Sequence, residues 1–197
     1  NWFEPKTVYG FYPCQSDGND LVVYEPDNKS QERLRITFPR QREGRLLSVA
    51  DFFAPKSAGR MDVVGFSVVT IGDRASEETK ILFDSGDFTR YLYVHGLSVE
   101  TAEALAELVH KQIRAEMGID GEDAPRVTDL FHQKYRGSRY SFGYPACPNL
   151  EDQAKIFALL EPEKNIGVRL TEQFHLEPEQ STNAIVVHHP QAKYFVV

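Results

Sequence analysis

Short runs of β-branched and aromatic residues dominate the first third of the chain and predict strands. These runs cover residues 8–12, 21–24, 33–38 and 63–71, and pairs such as Asp-Gly and Pro-Asp separate them. In the third run Leu34, Ile36 and Phe38 alternate with polar positions. A period of two is typical of a strand that buries one face and exposes the other. We therefore predict an antiparallel or mixed sheet in this part of the chain.

The middle of the chain has the periodicity of a long helix, from about residue 87 to 117, with Gly118 as a natural stop. A core stripe is predicted at helical spacing, namely Ala102, Leu105, Val109 and Ile113. Gly96 lies inside this span and weakens the helix by about 1 kcal/mol relative to Ala, so the sequence is compatible with a break there. A shorter helix is predicted at 128–136, and another after Asn149 as its N-cap.

The tail of the chain returns to strand-like patterns, at residues 168–176, 184–187 and 194–197. No Gly/Ser linker or low-complexity tract divides the 197 residues, so we predict one domain over 1–197. The predicted class is α+β, with a sheet, a long central helix and flanking helices. No strand is followed by G-x-G-x-x-G, which argues against a Rossmann-type methyltransferase architecture.

Charge and composition narrow the functional classes. The net charge of −7 argues against general nucleic-acid binding, and no apolar run reaches the ~20 residues of a membrane span. Cys14 and Cys147 are the two cysteines, and free thiols in a reducing, cytoplasmic compartment are the simplest expectation, although a disulfide stays open. Residues 28–60 carry eight basic against three acidic side chains, or +5, so the remainder sums to −12. Such a segment is either a solvated face or a dock for an acidic partner.

Two Glu-x-x-His pairs, beginning at Glu107 and Glu172, suggest a two-metal site of the kind built on facing helices. The second pair lies in the predicted strand 168–176, where Glu172 and His175 would point to opposite faces. We therefore predict no metal site. Cys147 lies next to Pro148 and close to Pro145, and no G-x-S-x-G motif is present, so a nucleophilic enzyme is not indicated either.

Residues 135–149 form the segment richest in candidate binding chemistry. It holds four aromatics, two arginines, two glycines and two prolines, a composition that fits neither a helix nor a central strand. We expect an ordered loop that contacts a planar, charged ligand. The alternative is that its aromatic residues fill the core, but buried guanidinium and phenol groups each require partners, which favours the binding role.

With these residues laid out, the chain resembles the activation domain of cobalamin-dependent methionine synthase over nearly its whole length. The resemblance is carried by RYSFGYPACP from residue 139 to 148, YGFYP at 9–13, ADFFAPK at 50–56, AEALAE at 102–107 with His110, and His189-Pro190 followed by Lys193-Tyr194. It implies an S-adenosylmethionine site and a chain that is a fragment of a larger enzyme. In that family an aspartate upstream of the portion represented here also contacts the ligand.

By this resemblance, Arg139 binds the ligand carboxylate, for which a guanidinium fork is suited. The backbone of Ser141 meets the adenine, Gly143 permits close approach, and Tyr144 lies where the methyl group faces the corrin, with an orienting role. Glu103 and Tyr194 are implied as further ligand contacts. Position 99 is Val where some relatives place an acid.

The resemblance also implies the mechanism and the partners. Oxidised, inactive cobalamin is reduced by flavodoxin or a similar donor and then takes the methyl group from the sulfonium, in an enzyme that moves methyl from methyltetrahydrofolate to homocysteine. Cobalamin is expected to be bound mainly by another domain, and Arg40, Arg42 and Arg45 are the candidate contacts for the acidic donor. Two alternatives stay open, a partner-docking module without ligand turnover and an independent S-adenosylmethionine-dependent methyltransferase.

Overall fold

Short runs of β-branched and aromatic residues form an antiparallel sheet in the computed structural model, which describes residues 2–197. The strands are β1 Lys6–Asp17, β2 Asp20–Tyr24, β3 Glu32–Thr37, β4 Asp62–Thr70, β5 Ser138–Tyr140, β6 Arg169–Leu170, β7 Leu176–Glu177 and β8 Ser181–Val187. Six of them form one sheet in the order β3-β2-β1-β4-β8-β5, in which every neighbouring pair is antiparallel. The predicted α+β class is confirmed, and the sheet is antiparallel rather than mixed.

The helices lie on both faces of this sheet. They are α1 Asp73–Asp84, α2 Phe88–Glu116, α3 Val127–Leu130, α4 Gln153–Leu160 and α5 Pro162–Ile166. Successive residues of β8 show the division, because Ile185 belongs to the larger core that includes α4, whereas Val186 packs with Val109 and Ile113 of α2. The strand period of two thus gives β4 and β8 one face toward α2 and one toward the larger core.

Helix α2 runs without interruption through Gly96. Its first turn is capped by the side chain of Asp87, which accepts a hydrogen bond from the backbone N–H of Arg90. The predicted core stripe is largely confirmed, since Ala102, Val109 and Ile113 are buried. Packing against α1 and the sheet offsets the small cost of the glycine, so no break is needed.

Helix α1 was not expected from the sequence. The side chains that it buries are Ala75, Thr79 and Leu82, at the spacing of successive helical turns. Alanine and threonine give only a weak apolar signal, so the periodicity is hidden in a stretch that looks polar.

The helix predicted at 128–136 is shorter than expected. Only Val127–Leu130 is helical, and the chain then turns through Gln133, which has a positive φ of 53°. Asp129 holds this turn together, because its carboxylate accepts hydrogen bonds from the side chains of Arg126 and Lys134. The predicted cap at Asn149 is present, but it starts a short 3-10 turn over Leu150–Asp152 before α4 begins.

Two of the three predicted tail strands are wrong. Residues 168–176 form not one strand but parts of a hairpin, in which β6 and β7 pair and the chain reverses through Phe174 at a φ of 61°. Thr171 stabilises the reversal by accepting a hydrogen bond from the backbone N–H of His175. Residues 194–197 form no strand in the described chain. The strand predicted at 184–187 is present as the longer β8.

The loop predicted at 135–149 contains the short edge strand β5, which pairs with the end of β8. Edge strands need only one hydrogen-bonded neighbour, so three residues suffice here. Part of the segment also fills the core, as the alternative interpretation held, since Tyr140 and Phe142 are buried. Tyr135 and Cys147 are buried as well, so only part of the segment is left to form a surface.

Cys14 and Cys147 are both buried and free, so the structure contains no disulfide between them. Burial raises the pKa of the Cys147 thiol to about 12. None of the helices in residues 2–197 combines the length and apolar character that crossing a bilayer requires.

A buried carboxylate at the start of β4 should make folding stability pH-dependent. Burial alone would raise the pKa of Asp62, but hydrogen bonds from His188 and from the N–H groups of Ala54 and Val63 outweigh it and lower the pKa to about 2. The folded-state pKa is therefore below the ordinary value of about 3.9, so the stabilisation is complete above about pH 4 and is lost as the pH falls toward 2. Asp62→Asn should lower the unfolding free energy by on the order of 2 kcal/mol at neutral pH.

Denaturant titrations from pH 7 down to pH 2 would check this. The difference between the parent chain and Asp62→Asn should narrow over the acid limb, whereas Asp27→Asn, at an exposed turn position, should change stability little. A constant gap at all pH values would show that the Asp62 carboxylate charge does not stabilise the fold.

Two glycines within residues 135–149 have a positive φ, and an added Cβ would meet different surroundings at each. A Cβ on Gly137 would collide with the carbonyl oxygen of Val187, which is fixed in the sheet, whereas a Cβ on Gly143 would meet only the mobile Cδ2 of Leu150, at 2.7 Å. Gly86 has a similar φ with open space around it, so it isolates the conformational cost of about 1–2 kcal/mol. In chemical denaturation, Gly86→Ala should therefore lose the least stability, Gly143→Ala an intermediate amount and Gly137→Ala the most. A Gly137→Ala variant as stable as Gly86→Ala would contradict the proposed backbone clash.

Candidate functional site

The register of β5 decides which side chains reach the site. Arg139 pairs with Val186, on the sheet face that packs against α2, while Tyr140 pairs with Ile185, on the face of the larger core. Because side chains alternate along a strand, Arg139 points toward α2 while its neighbour Tyr140 is buried on the other side. One edge strand thus directs Arg139 toward the site, while the burial of Tyr140 anchors the strand.

Arg139 is held by two carboxylates that lie one helical turn apart on α2. Its Nε donates to Oε1 of Glu107 at 2.9 Å, and its Nη2 donates to Oε2 of Glu103 at 2.8 Å. Burial alone would lower the pKa of Arg139, but the hydrogen bonds and charges of Glu103 and Glu107 outweigh it and raise the pKa. The third nitrogen, Nη1, has no hydrogen-bond partner among the described residues, so the guanidinium can still bind an anion.

The loop after β5 is closed by a tight turn. The N–H of Gly143 donates to the carbonyl of Cys147 at 2.8 Å, and the N–H of Cys147 donates to the carbonyl of Tyr144 at 2.8 Å. Cys147 is buried beneath the turn, while the Tyr144 side chain is 55 % exposed. The turn therefore holds an aromatic ring at the surface beside Arg139.

The end of the chain supplies the opposite side of the site. The Tyr140 hydroxyl donates to the carbonyl of Lys193 at 2.8 Å, and the Lys193 ammonium donates to the carbonyls of Gln133 and Tyr135. Phe195 packs edge-on against the ring of Tyr140. These contacts on both sides of Tyr194 fix its backbone at the mouth of the site.

Together these elements enclose a recess of about 190 Å³. It is lined by Glu103, Glu107, Gln133, Tyr135, Arg139, Ser141, Tyr144 and Tyr194. Five of the six residues implied by the family resemblance thus lie around one recess, although their separation in sequence reaches from position 103 to 194. The sixth, Gly143, shapes the turn that presents Tyr144 and does not line the recess.

Three lining residues were not in the predicted set: Glu107, Gln133 and Tyr135. Glu107 had a usable signal, because a carboxylate four residues after Glu103 lies on the same helix face. Tyr135 belongs to the segment 135–149 that was expected to contact a ligand, although it was not singled out within it. Gln133 gave no signal, since its position depends on the turn that ends α3.

A layer of buried polar side chains lies beneath the recess. The Arg114 guanidinium stacks 4.1 Å from the ring centroid of Tyr135 and forms two hydrogen bonds with Asp123, at 2.9 and 2.7 Å. The His110 ring meets Tyr135 edge-on at 5.1 Å. Burial, followed by the charge of Glu107, raises the pKa of Tyr135 to about 12, so its hydroxyl stays protonated near neutrality. This layer fixes the floor of the recess.

His110 is not placed as a metal ligand. Its ring is buried, and burial, helped by Arg114 and Arg139, lowers its pKa well below the ordinary range. Neither ring nitrogen has a hydrogen-bond partner in the part of the chain that the structure describes. Glu172 and His175, the other Glu-x-x-His pair, lie in or beside the β6–β7 turn rather than on a facing helix or a single strand. Within residues 2–197 no group of three or more potential ligands is arranged for a metal ion.

Size alone does not distinguish this recess, because one of about 720 Å³ lies between α1 and the β6–β7 hairpin. The difference is in the charged groups. The Arg169–Glu177 pair of the larger recess is mostly solvated, with side chains 59 % and 48 % exposed, whereas the Arg139 side chain is only 16 % exposed. Exposed ion pairs contribute little energy, while a shielded guanidinium is a strong anion-binding group.

Comparisons with known proteins concern the sequence and the fold of the chain. The family model described as "Vitamin B12 dependent methionine synthase, activation domain" matches residues 1–197. Methionine synthase of Mycobacterium tuberculosis is 48 % identical over 201 residues, and that of Mycobacterium leprae is 45 % identical over 201 residues; each match covers 96 % of this chain. A crystal structure of the MetH reactivation domain bound to AdoHcy superposes with a TM-score of 0.92 at 30 % identity, over 99 % of this chain.

The matched region is only part of each relative. It spans 17 % of the two mycobacterial methionine synthases and 62 % of the crystallised reactivation domain. The match nevertheless extends along this whole chain and includes its fold. The chain therefore belongs to the family of activation domains of vitamin B12 dependent methionine synthases.

Proposed function

We propose that the recess binds S-adenosylmethionine and presents its methyl group for the reductive methylation of cobalamin, in a methionine synthase that transfers methyl from methyltetrahydrofolate to homocysteine. The observation that carries this proposal is the largely shielded Arg139, which is held by Glu103 and Glu107 yet keeps one nitrogen without a partner among the described residues. The crystallised relative bound to AdoHcy supports a ligand of this chemical class.

The amino acid end of the ligand matches the charges at the recess. Its carboxylate would accept hydrogen bonds from Arg139, whose Nη1 has no partner among the described residues. Its ammonium would donate to Glu103, which lies beside that guanidinium and is partly solvated. Both contacts are charge-assisted hydrogen bonds, which are about twice as strong as neutral ones.

The adenosyl part of the ligand must lie largely outside the recess. A cavity of about 190 Å³ is smaller than the ~300–1,000 Å³ typical of sites for ligands of this size. The exposed rings of Tyr144 and Tyr194 extend the surface at its mouth, and the backbone of Ser141 offers groups for the adenine. Gly143 supports this by allowing the turn that holds Tyr144 in place.

The surface at the mouth also fits a large flat cofactor. Tyr144 and Tyr194 are 55 % and 48 % exposed, so a corrin ring held by another domain could approach them closely. When bound, reduced cobalamin supplies the nucleophile that accepts the methyl group. The role of this chain is then orientation and electrostatics, with Tyr144 beside the methyl group. No proton is transferred in that step, so a complete independent active site is not needed here.

The basic segment supports docking of an acidic electron donor such as flavodoxin. Its arginines differ in availability, because Arg40 donates to both carboxylate oxygens of Asp51, at 2.6 and 2.7 Å, and is used by the fold. Arg42 and Arg45 are exposed and form no ion pair within the described residues. We propose these two, rather than all three, as the steering contacts.

Arg139→Ala should weaken S-adenosylmethionine binding by about 2–4 kcal/mol, because a charged hydrogen-bond partner is lost in a shielded site. Isothermal titration calorimetry would measure the change. Arg139→Lys should recover only part of it, since a single ammonium cannot match the fork geometry. Arg169→Ala, which removes an exposed arginine away from the recess, is the control. Unchanged affinity in a folded Arg139→Ala variant would refute the proposed role of Arg139.

Arg42→Glu combined with Arg45→Glu should slow electron delivery from an acidic donor at low ionic strength and leave ligand affinity unchanged. The difference should shrink at high salt, because exposed charges are screened over about 10 Å at 0.1 M. Lys80→Glu with Lys111→Glu makes the same change of charge at two other exposed positions and is the matched control. The rate of electron delivery in each double variant would be measured from the reactivation kinetics of the complete enzyme. Equal rates for the two double variants would show that the segment is only a solvated face.

A further inference from the structure

The charged side chains of the recess do not balance one another. Glu103 and Glu107 carry two negative charges around the single positive charge of Arg139, at hydrogen-bond distances of 2.8 and 2.9 Å. No other cation lines the recess among the described residues. Among the side chains that line the recess, one carboxylate is therefore in excess before any ligand binds. The Lys193 ammonium lies outside this lining, where it donates to the carbonyls of Gln133 and Tyr135.

S-adenosylmethionine has the complementary imbalance. Its carboxylate and ammonium cancel, and its sulfonium adds one positive charge. If the ligand carboxylate pairs with Arg139 and the ammonium with Glu103, the remaining charges are Glu107 and the sulfonium. Methyl transfer removes this match, because the nucleophile supplies the electron pair for the new bond and the C–S bonding pair returns to sulfur. The product is a neutral thioether, and Glu107 is left as the unbalanced charge.

We infer that Glu107 is a specificity-determining residue that makes the site prefer the cationic, methylated ligand over its neutral, demethylated product. This inference rests on the proposed function, since it assigns a role to a residue of the same site. The charge of Glu107 would therefore favour binding of the substrate and release of the product. Substrate binds to a site of opposite charge, and the spent product leaves a site that no longer attracts it.

Two features of Glu107 fit this role. Its side chain is 35 % exposed, so it is partly shielded from water and its field is not fully screened. It contacts Arg139 through Nε, leaving Nη1 and the outer edge of the guanidinium for the ligand carboxylate. Glu107 therefore contributes charge without occupying the position of the amino acid group.

Glu107→Gln tests the inference with little change of shape. The amide oxygen can still accept the hydrogen bond from Arg139, so the guanidinium stays in place while one negative charge is removed. Affinities for S-adenosylmethionine and S-adenosylhomocysteine, measured by calorimetry, should show that the preference for the methylated ligand falls by about tenfold. Most of the change should be weaker S-adenosylmethionine binding, with S-adenosylhomocysteine unchanged or tighter.

A third ligand separates charge from the methyl group itself. An analogue with an amine-bearing carbon in place of the sulfonium is cationic but has no methyl to transfer, and Glu107→Gln should weaken it as it weakens S-adenosylmethionine. Glu172→Gln, at an exposed position in the turn between β6 and β7, is the matched control and should leave the preference unaltered.

The outcomes distinguish the inference from the function on which it rests. If the complete enzyme, which includes the segment upstream of this chain, binds neither ligand, the proposed function fails and the inference with it. If both ligands bind and Glu107→Gln weakens both equally, Glu107 only holds Arg139 and the inference alone is wrong. If Glu172→Gln changes the preference for the methylated ligand as much as Glu107→Gln does, the effect comes from overall charge. That result would also overturn the inference.

Discussion

The ion-pair cluster around Arg139 is the contact on which the arrangement of the site depends. A guanidinium that is only 16 % exposed is tolerated because two carboxylates satisfy it. Those carboxylates belong to α2, while Arg139 belongs to β5, the edge strand of the sheet, so the cluster ties the last strand to the longest helix. On the opposite face of the same strand, Tyr140 binds the carbonyl of Lys193 and so draws the end of the chain to the recess. Three parts of the sequence meet because one short strand presents alternate side chains to two layers.

Elements with a clear period could be predicted from the sequence, and elements whose form depends on a turn could not. Leu34 and Ile36 of β3 alternate with polar residues in the sequence. The buried face of α2 includes Val109 and Ile113 at helical spacing, so both elements were recognised. Residues 168–176 alternate as well, yet the chain reverses there, because Phe174 adopts a left-handed conformation that no local pattern announces. Helix α1 was missed for the opposite reason, since Ala75 and Thr79 on its buried face are too small or too polar to show a period.

The part of the candidate site that could be predicted is the part that the family resemblance specifies by residue spacing. That spacing selected Arg139 and Tyr144, which the structure places beside one recess. The contact between Glu107 and Arg139 joins residues 32 positions apart and depends on the register of β5 against β8 and on the rotation of α2. From sequence alone Glu107 belonged to a Glu-x-x-His pair, which was considered as a metal motif and rejected. The register gives it a different partner, and its neighbour His110 is buried away from solvent.

The openness of the recess follows from its charge. Two carboxylates facing one guanidinium leave a negative charge that would be costly in a closed, dry cavity. Side-chain exposures of 42 % for Glu103 and 35 % for Glu107 allow water to solvate that charge while the site is empty. A deeper pocket would bind the ligand over more of its surface, but it would either force one carboxylate to take up a proton or require another cation. A shallow site therefore keeps its excess charge and relies on charge complementarity rather than enclosure, and the same shallowness leaves Tyr144 and the methyl group it is proposed to orient accessible to a second, bulky reactant.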